Sequence, residues 1–448
     1  MKNEPRDSYL TTHISRLTSH GSHLPLQKNM TYDILIIGAG AAGLMAMNEL
    51  VQSGYSVCLL EATDRPGGRI ATQINAWGES IETGAEFIHG KTSVTSELLK
   101  RASIPYVSAK GKMISVRNSV WLGEEINEID FKVFSDRLSS LGKDCTIAAF
   151  LEDFLPEKEY DEVRIAVRQF AEGFSLADIN RASVFAFRKE WTHQQDDQYR
   201  IPGGYDQLVQ YLLTVGLNIN AAIHYGTPVE KIYHSEAGVT VQAHDRQFTA
   251  KKLIVTVSAG VLQSGTIKFI PELYEYDACF KALGFGSVVK IMFRFKSAFW
   301  HHEDDEIGFL LSDEAVPTWW TQSPSAIPLL TGWLGGPNAF AFSQLDQASQ
   351  MDRALSSLAS ILHLDVSFLQ QQLLDSKIIC WDNNPYTRGG YSYLALDSER
   401  AKQVIAQPVN NSIYFAGEAI YEGELQGTVE AALVSGQLVA ERIAAKAK

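Results

Sequence analysis

Cysteine is scarce in this chain: four residues in 448, at Cys58, Cys145, Cys279 and Cys380. They are scattered and form no C-x-x-C pair. Neither a disulfide frame nor a zinc site is expected, and a reducing, cytoplasmic compartment is. Cys58 falls in an apolar run and reads as a small core residue. Basic charge is in deficit too. Lysine and arginine number 39 against 52 acidic residues, giving a formal charge of −13 and a pI of about 5.4. A nucleic-acid partner needs a basic face, so that class is disfavoured. Acidity suits a cationic small substrate, although it also serves solubility. No run approaches the roughly 18 apolar residues that cross a bilayer, so no membrane partner is expected. Residues 1–30 are polar and lack the apolar core, twin arginine or cleavage site of a targeting leader. Residues 1–29 read as an extension ahead of the folded part; His13, His20 and His23 are too irregularly spaced for a metal site. No repeat, low-complexity tract, Ser/His/Asp set or metal-ligand set is evident.

What is present is concentrated between Tyr32 and Arg69. The apolar run Ile34 to Ile37 reads as a buried strand. Gly38, Gly40 and Gly43 follow in the spacing G-x-G-x-x-G, then a helical pattern from Ala42 to Ser53, stopped by Gly54. A second strand, Ser56 to Leu60, ends at Glu61. This is a βαβ opening for a dinucleotide. Gly38 turns the chain off the strand, Gly40 opens space for a pyrophosphate, and Gly43 lets helix and sheet approach. Unpaired N–H groups at the helix start, here Ala42, favour the phosphates. Glu61 lies 18 residues beyond Gly43, where a carboxylate accepts ribose hydroxyls and repels a 2′-phosphate.

Directly after Glu61 and Ala62 comes a second glycine element, Arg65, Gly67, Gly68 and Arg69. It suits another backbone approach to the pyrophosphate, with guanidinium groups supplying charge. A nicotinamide site has no need of it. At this point the chain resembles the flavin-containing amine oxidase family, which carries R-x-G-G-R here. Three more regions match in order. Residues 79–90, ESIETGAEFIHG, contain Gly84, Ala85, Glu86 and Phe87, which the resemblance places beside the flavin. The pattern G-A-x-aromatic-I-H-G is most similar to animal-type polyamine oxidases, which puts His89 near the amine; a buried structural histidine is the alternative. Lys290 interrupts an alternating strand, Val289 to Phe295, where an unpaired lysine is costly. The family's lysine at this spot reaches the flavin through a water. Finally Trp381, Tyr386, Gly389, Gly390, Tyr391 and Ser392 match a late motif. Gly417, Glu418, Thr428 and Val429 would touch the ribityl chain and ring, and the backbone at Val229 the adenine.

Departures from the family pattern are informative. Members with covalent flavin carry cysteine immediately before the cage tyrosine; here Gly390 implies non-covalent FAD. Tyr391 supplies one wall of the family's aromatic cage, and Thr428 stands at the second. Ser258 replaces a usual proline after the strand Lys252 to Val257.

The remaining pattern predicts helices over Leu98 to Ala102, Phe131 to Leu141, Tyr160 to Phe174, Met351 to Leu362, Val366 to Leu373 and Thr428 to Ala445. A helix also follows the loop that begins at Arg200. It predicts a hairpin in Lys112 to Leu122 and another from Gly238 to Ala243 and Gln247 to Thr249. Strands are expected at Ile223 to Tyr225, Val229 to His234, Ile307 to Leu311, Leu329 to Leu334, Phe340 to Phe342 and Ile413 to Ala416. Acidic clusters at Glu124, Glu125, Glu128 and Asp130, at 157–162, and at 302–306 read as solvated faces.

The expected fold is α/β: an FAD-binding Rossmann-like domain interleaved with an α+β substrate domain. The FAD-binding domain takes 30–92, 199–265 and 381–448, and the substrate domain takes 93–198 and 266–380. The resemblance implies an amine oxidase. Hydride passes from the amine α-carbon to flavin N5, the imine hydrolyses to aldehyde, and dioxygen reoxidises the flavin to give hydrogen peroxide. Lys290, Tyr391 and His89 are the candidate catalytic residues. A polyamine-type substrate is slightly favoured over a monoamine. Two alternatives stand: an amino-acid, porphyrinogen or carotenoid-type oxidase on the same scaffold, or a non-catalytic flavin-binding interaction protein. The sequence leaves oligomeric state open, with a homodimer admitted.

Overall fold

The computed structural model describes residues 31–90, 92–117, 119–122, 131–192, 197–302 and 306–445. The N-terminal extension, the acidic cluster at 124–130 and residues 303–305 of the acidic loop lie outside the described residues.

The strand Thr31–Ile37 lies at the centre of an eight-stranded sheet. Its order is Ala221–His224, Val57–Leu60, Thr31–Ile37, Arg246–Val255, Gly238–Ala243, Lys231–Ser235 and Lys268–Ile270, with Ile413–Phe415 also paired to Arg246–Val255. The central pairings are parallel, with Ile37 beside both Leu60 and Val255. Leu35 and Ile37 pack with Val255 and Phe415. Ile34 and Ile36 pack under the helices Ala41–Gln52, Asp206–Ile219 and Val429–Ala445. Burial on both faces is why this strand is an unbroken apolar run rather than an alternating one. Each such side chain contributes about 1.5–3 kcal/mol by leaving water. The run Lys252 to Val257 and the preceding hairpin arm are one strand, Arg246–Val255, antiparallel to Gly238–Ala243 at one end and parallel to Ile413–Phe415 at the other. Lys268–Ile270 extends this sheet beyond the expected boundary at 265.

A second sheet has seven strands, in the order Leu373–Cys380, Val288–Phe295, Leu329–Gly335, Thr318–Trp320, Ile307–Ser312, Lys112–Arg117 and Val120–Trp121. The predicted 112–122 hairpin forms its edge. The strand Leu373–Cys380 has no clear sequence signal, because its exposed polar residues mask the alternation. Phe340 to Phe342 corrects an expectation: it lies in a helix, Gly336–Ser343, with Pro337 in its first turn. The Ala-Phe-Ala-Phe alternation mimics a strand, but proline at a helix start outweighs it. Ala339 and Phe342 are buried while Phe340 is 54% exposed, a helical distribution.

The helices Ile147–Phe154, Asp161–Gln169 and Val184–Thr192 build a separate core around Phe150, Val167 and Phe187. Phe170–Phe174 continues Asp161–Gln169 as a π-turn. Three short strands, Ile88–His89, Gln198–Arg200 and Val107–Ser108, pair antiparallel in a small sheet of their own. This small sheet carries His89 and Arg200.

Candidate functional site

Every site residue expected from the sequence except Gly43 lines one cavity of about 2060 Å³. Gly43 serves the wall behind it. A side chain there would lie 2.0 Å from the Gly38 carbonyl oxygen, so only glycine lets this helix sit on the turn. Gly38 has φ +101°, and its N–H donates to the Leu60 carbonyl at 2.9 Å.

The two glycine elements face each other. Gly40 bridges Gly67, and Gly67 N–H donates to Ala39 O at 2.8 Å. Glu61 ends its strand with one carboxylate oxygen accepting from Ala39 N at 2.8 Å and the other from Thr63 N at 2.9 Å. Arg65 behaves differently from expectation. Its guanidinium donates to Gly68 O at 2.7 Å and Ile70 O at 2.9 Å, shaping the loop rather than supplying free charge. Arg69 joins the first motif to the last, pairing with Glu418 at 2.8 Å and donating to Gly390 O at 2.6 Å. Glu418 also accepts from Ser392 Oγ at 2.5 Å. Thr428 caps the helix Val429–Ala445, accepting from Ala431 N at 3.1 Å and donating to Leu425 O at 2.6 Å. A glycine-walled cradle, a held carboxylate and a helix start match a dinucleotide's diphosphate and ribose.

Lys290 is 1% exposed, which excludes a lysine reaching for solvent. Its Nζ donates to Glu86 at 2.6 Å and to Gly84 O at 3.1 Å, and lies 5.6 Å from the Trp320 ring centre. Glu86 is also paired with Arg200 at 3.1 Å and accepts from Trp320 Nε1 at 3.0 Å. Burial alone raises the Glu86 carboxyl, but Lys290 and then Arg200 outweigh it and hold it below the usual carboxylate range. Arg200 stacks over Phe87 at 4.7 Å. Arg200 and Trp320 carried no local signal in the sequence; each meets Glu86 only through the fold.

The remaining wall is aromatic. The Tyr391 hydroxyl donates to Phe174 O, and its ring stacks on Trp333 with centres 6.3 Å apart and planes 23° apart. Trp333 Nε1 donates to Gly173 O at 2.8 Å. His89 meets Phe174 edge-on at 6.0 Å, and burial pushes its pKa down to about 4. Trp333 thus adds a second aromatic surface beside Tyr391 that the sequence reading did not identify. Trp381 donates to Thr83 O at 3.1 Å, and Tyr386, 43% exposed, stands at the rim. A side chain at Gly390 would lie 2.6–2.7 Å from Leu176 and Val288. No described helix is long and apolar enough to cross a membrane.

A family model described as flavin containing amine oxidoreductase matches residues 41–110 and 137–444. Lysine-specific histone demethylase 1 homolog 1 of Arabidopsis thaliana is 27% identical, covering 92% of this chain and 52% of its own length. Protein FLOWERING LOCUS D of the same plant is 28% identical, covering 93% and 56%. The chain therefore spans about half the length of these curated relatives. Among solved structures, putrescine oxidase bound to putrescine superposes with a TM-score of 0.79 at 21% identity, covering 93% of this chain and 99% of that one. Cyclohexylamine oxidase from Brevibacterium oxydans IH-35A does so at 0.78 and 21%, with the same coverage. At that identity the likeness is one of fold.

Proposed function

This chain belongs to the flavin-containing amine oxidoreductase family, and from that premise we propose that it is an amine oxidase holding FAD non-covalently and acting on a small amine. The observation that carries this reading is convergence. The dinucleotide cradle, the Lys290–Glu86–Arg200 cluster and the Tyr391–Trp333 wall share a single cavity. At about 2060 Å³ it exceeds an ordinary ligand site of roughly 300–1,000 Å³, leaving room for cofactor and substrate together. Gly38, Gly40, Gly68, Arg69, Glu61 and Glu418 would hold the FAD. A cysteine at position 390 would have to displace the Leu176 and Val288 side chains, which supports non-covalent binding.

When bound, the flavin supplies the acceptor for a hydride from the amine α-carbon, leaving an imine that water hydrolyses to aldehyde while dioxygen becomes hydrogen peroxide. The chain's own groups set the stage. An ammonium has three N–H donors, and Glu86 and Gly84 occupy two of Lys290's. The third is available to a water at the cavity wall, which Lys290 lines. His89 is neutral at physiological pH, so it orients an amine without repelling a cation. Burial raises the Tyr391 hydroxyl, which stays protonated and donates to Phe174. With Trp333 it gives the substrate a flat, dry wall that excludes water and fixes orientation.

A polyamine-type substrate is our primary reading. A second, removal of a methyl group from a lysine side chain, is favoured by the 27% identity to the Arabidopsis lysine-specific histone demethylase homolog. Both break a C–N bond. Peroxide release and anaerobic bleaching of the flavin, measured on diamines, monoamines and a methyl-lysine peptide, separate them. Purified protein that is colourless and takes up no FAD would end the proposal.

A further inference from the structure

Three carboxylates that line the cavity are each paired with a cation. Glu86 has Lys290 and Arg200, Glu418 has Arg69, and Glu172 has Arg168 at 3.4 Å. Glu190, on the helix Val184–Thr192, meets no cation among the described residues. Its hydrogen bond comes from Ser175 Oγ, at 3.0 Å, onto one of its two carboxylate oxygens. Glu190 is exposed and lines the cavity, so part of its accessible surface belongs to that space.

The place of Glu190 in that space is set by two elements. Ser175 follows Phe174, whose carbonyl receives the Tyr391 hydroxyl. Through Ser175, Glu190 is held on the Phe174 side of the Tyr391 hydroxyl. Burial shifts the Glu190 carboxyl upward, so a cavity-lining carboxylate with this single neutral donor is completed either by a proton or by a cation. The nitrogen that is oxidised must itself be uncharged to release hydride. A substrate that satisfies both demands carries one neutral nitrogen at the reacting end and one charged nitrogen elsewhere.

We propose that Glu190, positioned by Ser175, is the specificity residue of this site and receives the second, charged nitrogen of an aliphatic diamine or polyamine. This rests on the amine-oxidase reading and adds to it a residue and a charge requirement.

The test compares FAD-loaded wild type with Glu190→Gln and Glu190→Asp. The substrates are α,ω-diamines and straight-chain monoamines of equal length. A charge-assisted contact contributes about 1.5–3 kcal/mol, so Glu190→Gln should lower the diamine-to-monoamine ratio of kcat/KM by about ten- to a hundredfold. The loss should fall on KM more than on kcat, and Glu190→Asp should recover part of it. Calorimetric titration with a bis-quaternary diammonium chain, which cannot be oxidised, gives a readout independent of turnover. Its affinity should drop by a similar factor in Glu190→Gln. A ratio within about twofold of wild type, together with unaltered binding of the bis-quaternary probe, would overturn the inference. If no amine bleaches the flavin, the amine-oxidase reading fails by itself, and the probe's affinity still decides whether Glu190 receives a cation. If Glu190→Gln does not fold, Ser175→Ala removes the positioning donor and should show the same loss in smaller measure; an unaltered ratio there would count against the inference.

Discussion

Replacing Lys290 by methionine keeps the length and apolar stem of the side chain and deletes the ammonium. In the native chain that ammonium donates to Glu86 at 2.6 Å and to Gly84 O at 3.1 Å at 1% exposure. Deleting one partner of a buried pair costs about 3–5 kcal/mol when the other charge is stranded. Glu86 is not wholly stranded, because Arg200 remains at 3.1 Å and Trp320 Nε1 at 3.0 Å. The expected cost of Lys290→Met is therefore smaller, about 2–3 kcal/mol. Urea denaturation followed by circular dichroism measures it. Glu86→Gln added to Lys290→Met should cost less than the two changes summed, by more than about 1 kcal/mol, since each removes the other's unpaired charge. Additivity within about 0.5 kcal/mol would refute the coupling. The variant should keep its FAD, because Lys290 bonds to Gly84 and Glu86 and to none of Gly38, Gly40, Glu61, Gly68, Arg69 or Glu418, and turn over more slowly. Unchanged rates of flavin reduction and reoxidation in stopped flow would remove Lys290 from the chemistry and leave it a structural role.

Other outcomes follow from single distances. Gly43→Ala places a methyl 2.0 Å from Gly38 O and should abolish FAD uptake, read as loss of the yellow absorbance of the purified protein. Gly390→Cys should cost about 1–3 kcal/mol by overpacking against Leu176 and Val288 and form no tether. Acid precipitation of the native protein should release all its flavin to the supernatant, and colour left in the pellet would contradict non-covalent binding. Burial raises Glu82 from 4.5 to about 7, so the folded state holds a proton that the unfolded chain releases. Stability should accordingly be greater at pH 4.5 than at pH 7 on this account, declining across that window by roughly 3 kcal/mol. Glu82→Gln, which can still accept from Tyr205 N, should flatten that decline in thermal melts; an equal slope would exclude Glu82 as its source.

Legibility in the sequence followed the distance over which each feature is made. The glycine turns at 38–43 and 65–69 could be read because strand, turn and helix are contiguous, and each glycine answers to neighbours within a few residues. Lys290 was legible as an anomaly, a charge inside an apolar strand. Its counter-ion Glu86 carries no local mark that ties it to a lysine 204 positions away. Arg65 had the right residue type for charge supply and is spent instead on its own loop's carbonyls. Phe340 to Phe342 misled because an alternating apolar pattern suits a strand, while the preceding Gly335, Gly336 and Pro337 start a helix.

The linear order of residues was sufficient for the dinucleotide turn, the parallel sheet that supports it and the family to which both belong. Each is encoded in backbone freedom and hydrophobic spacing, which act at short range. The fold alone assigned Arg200 and Trp320 to Glu86, set Trp333 against Tyr391 and left Glu190 lining the cavity with no cation paired to it among the described residues. A buried charge is neutralised by whatever polar group the packing carries within hydrogen-bond reach, and separation along the chain places no limit on which residue that is.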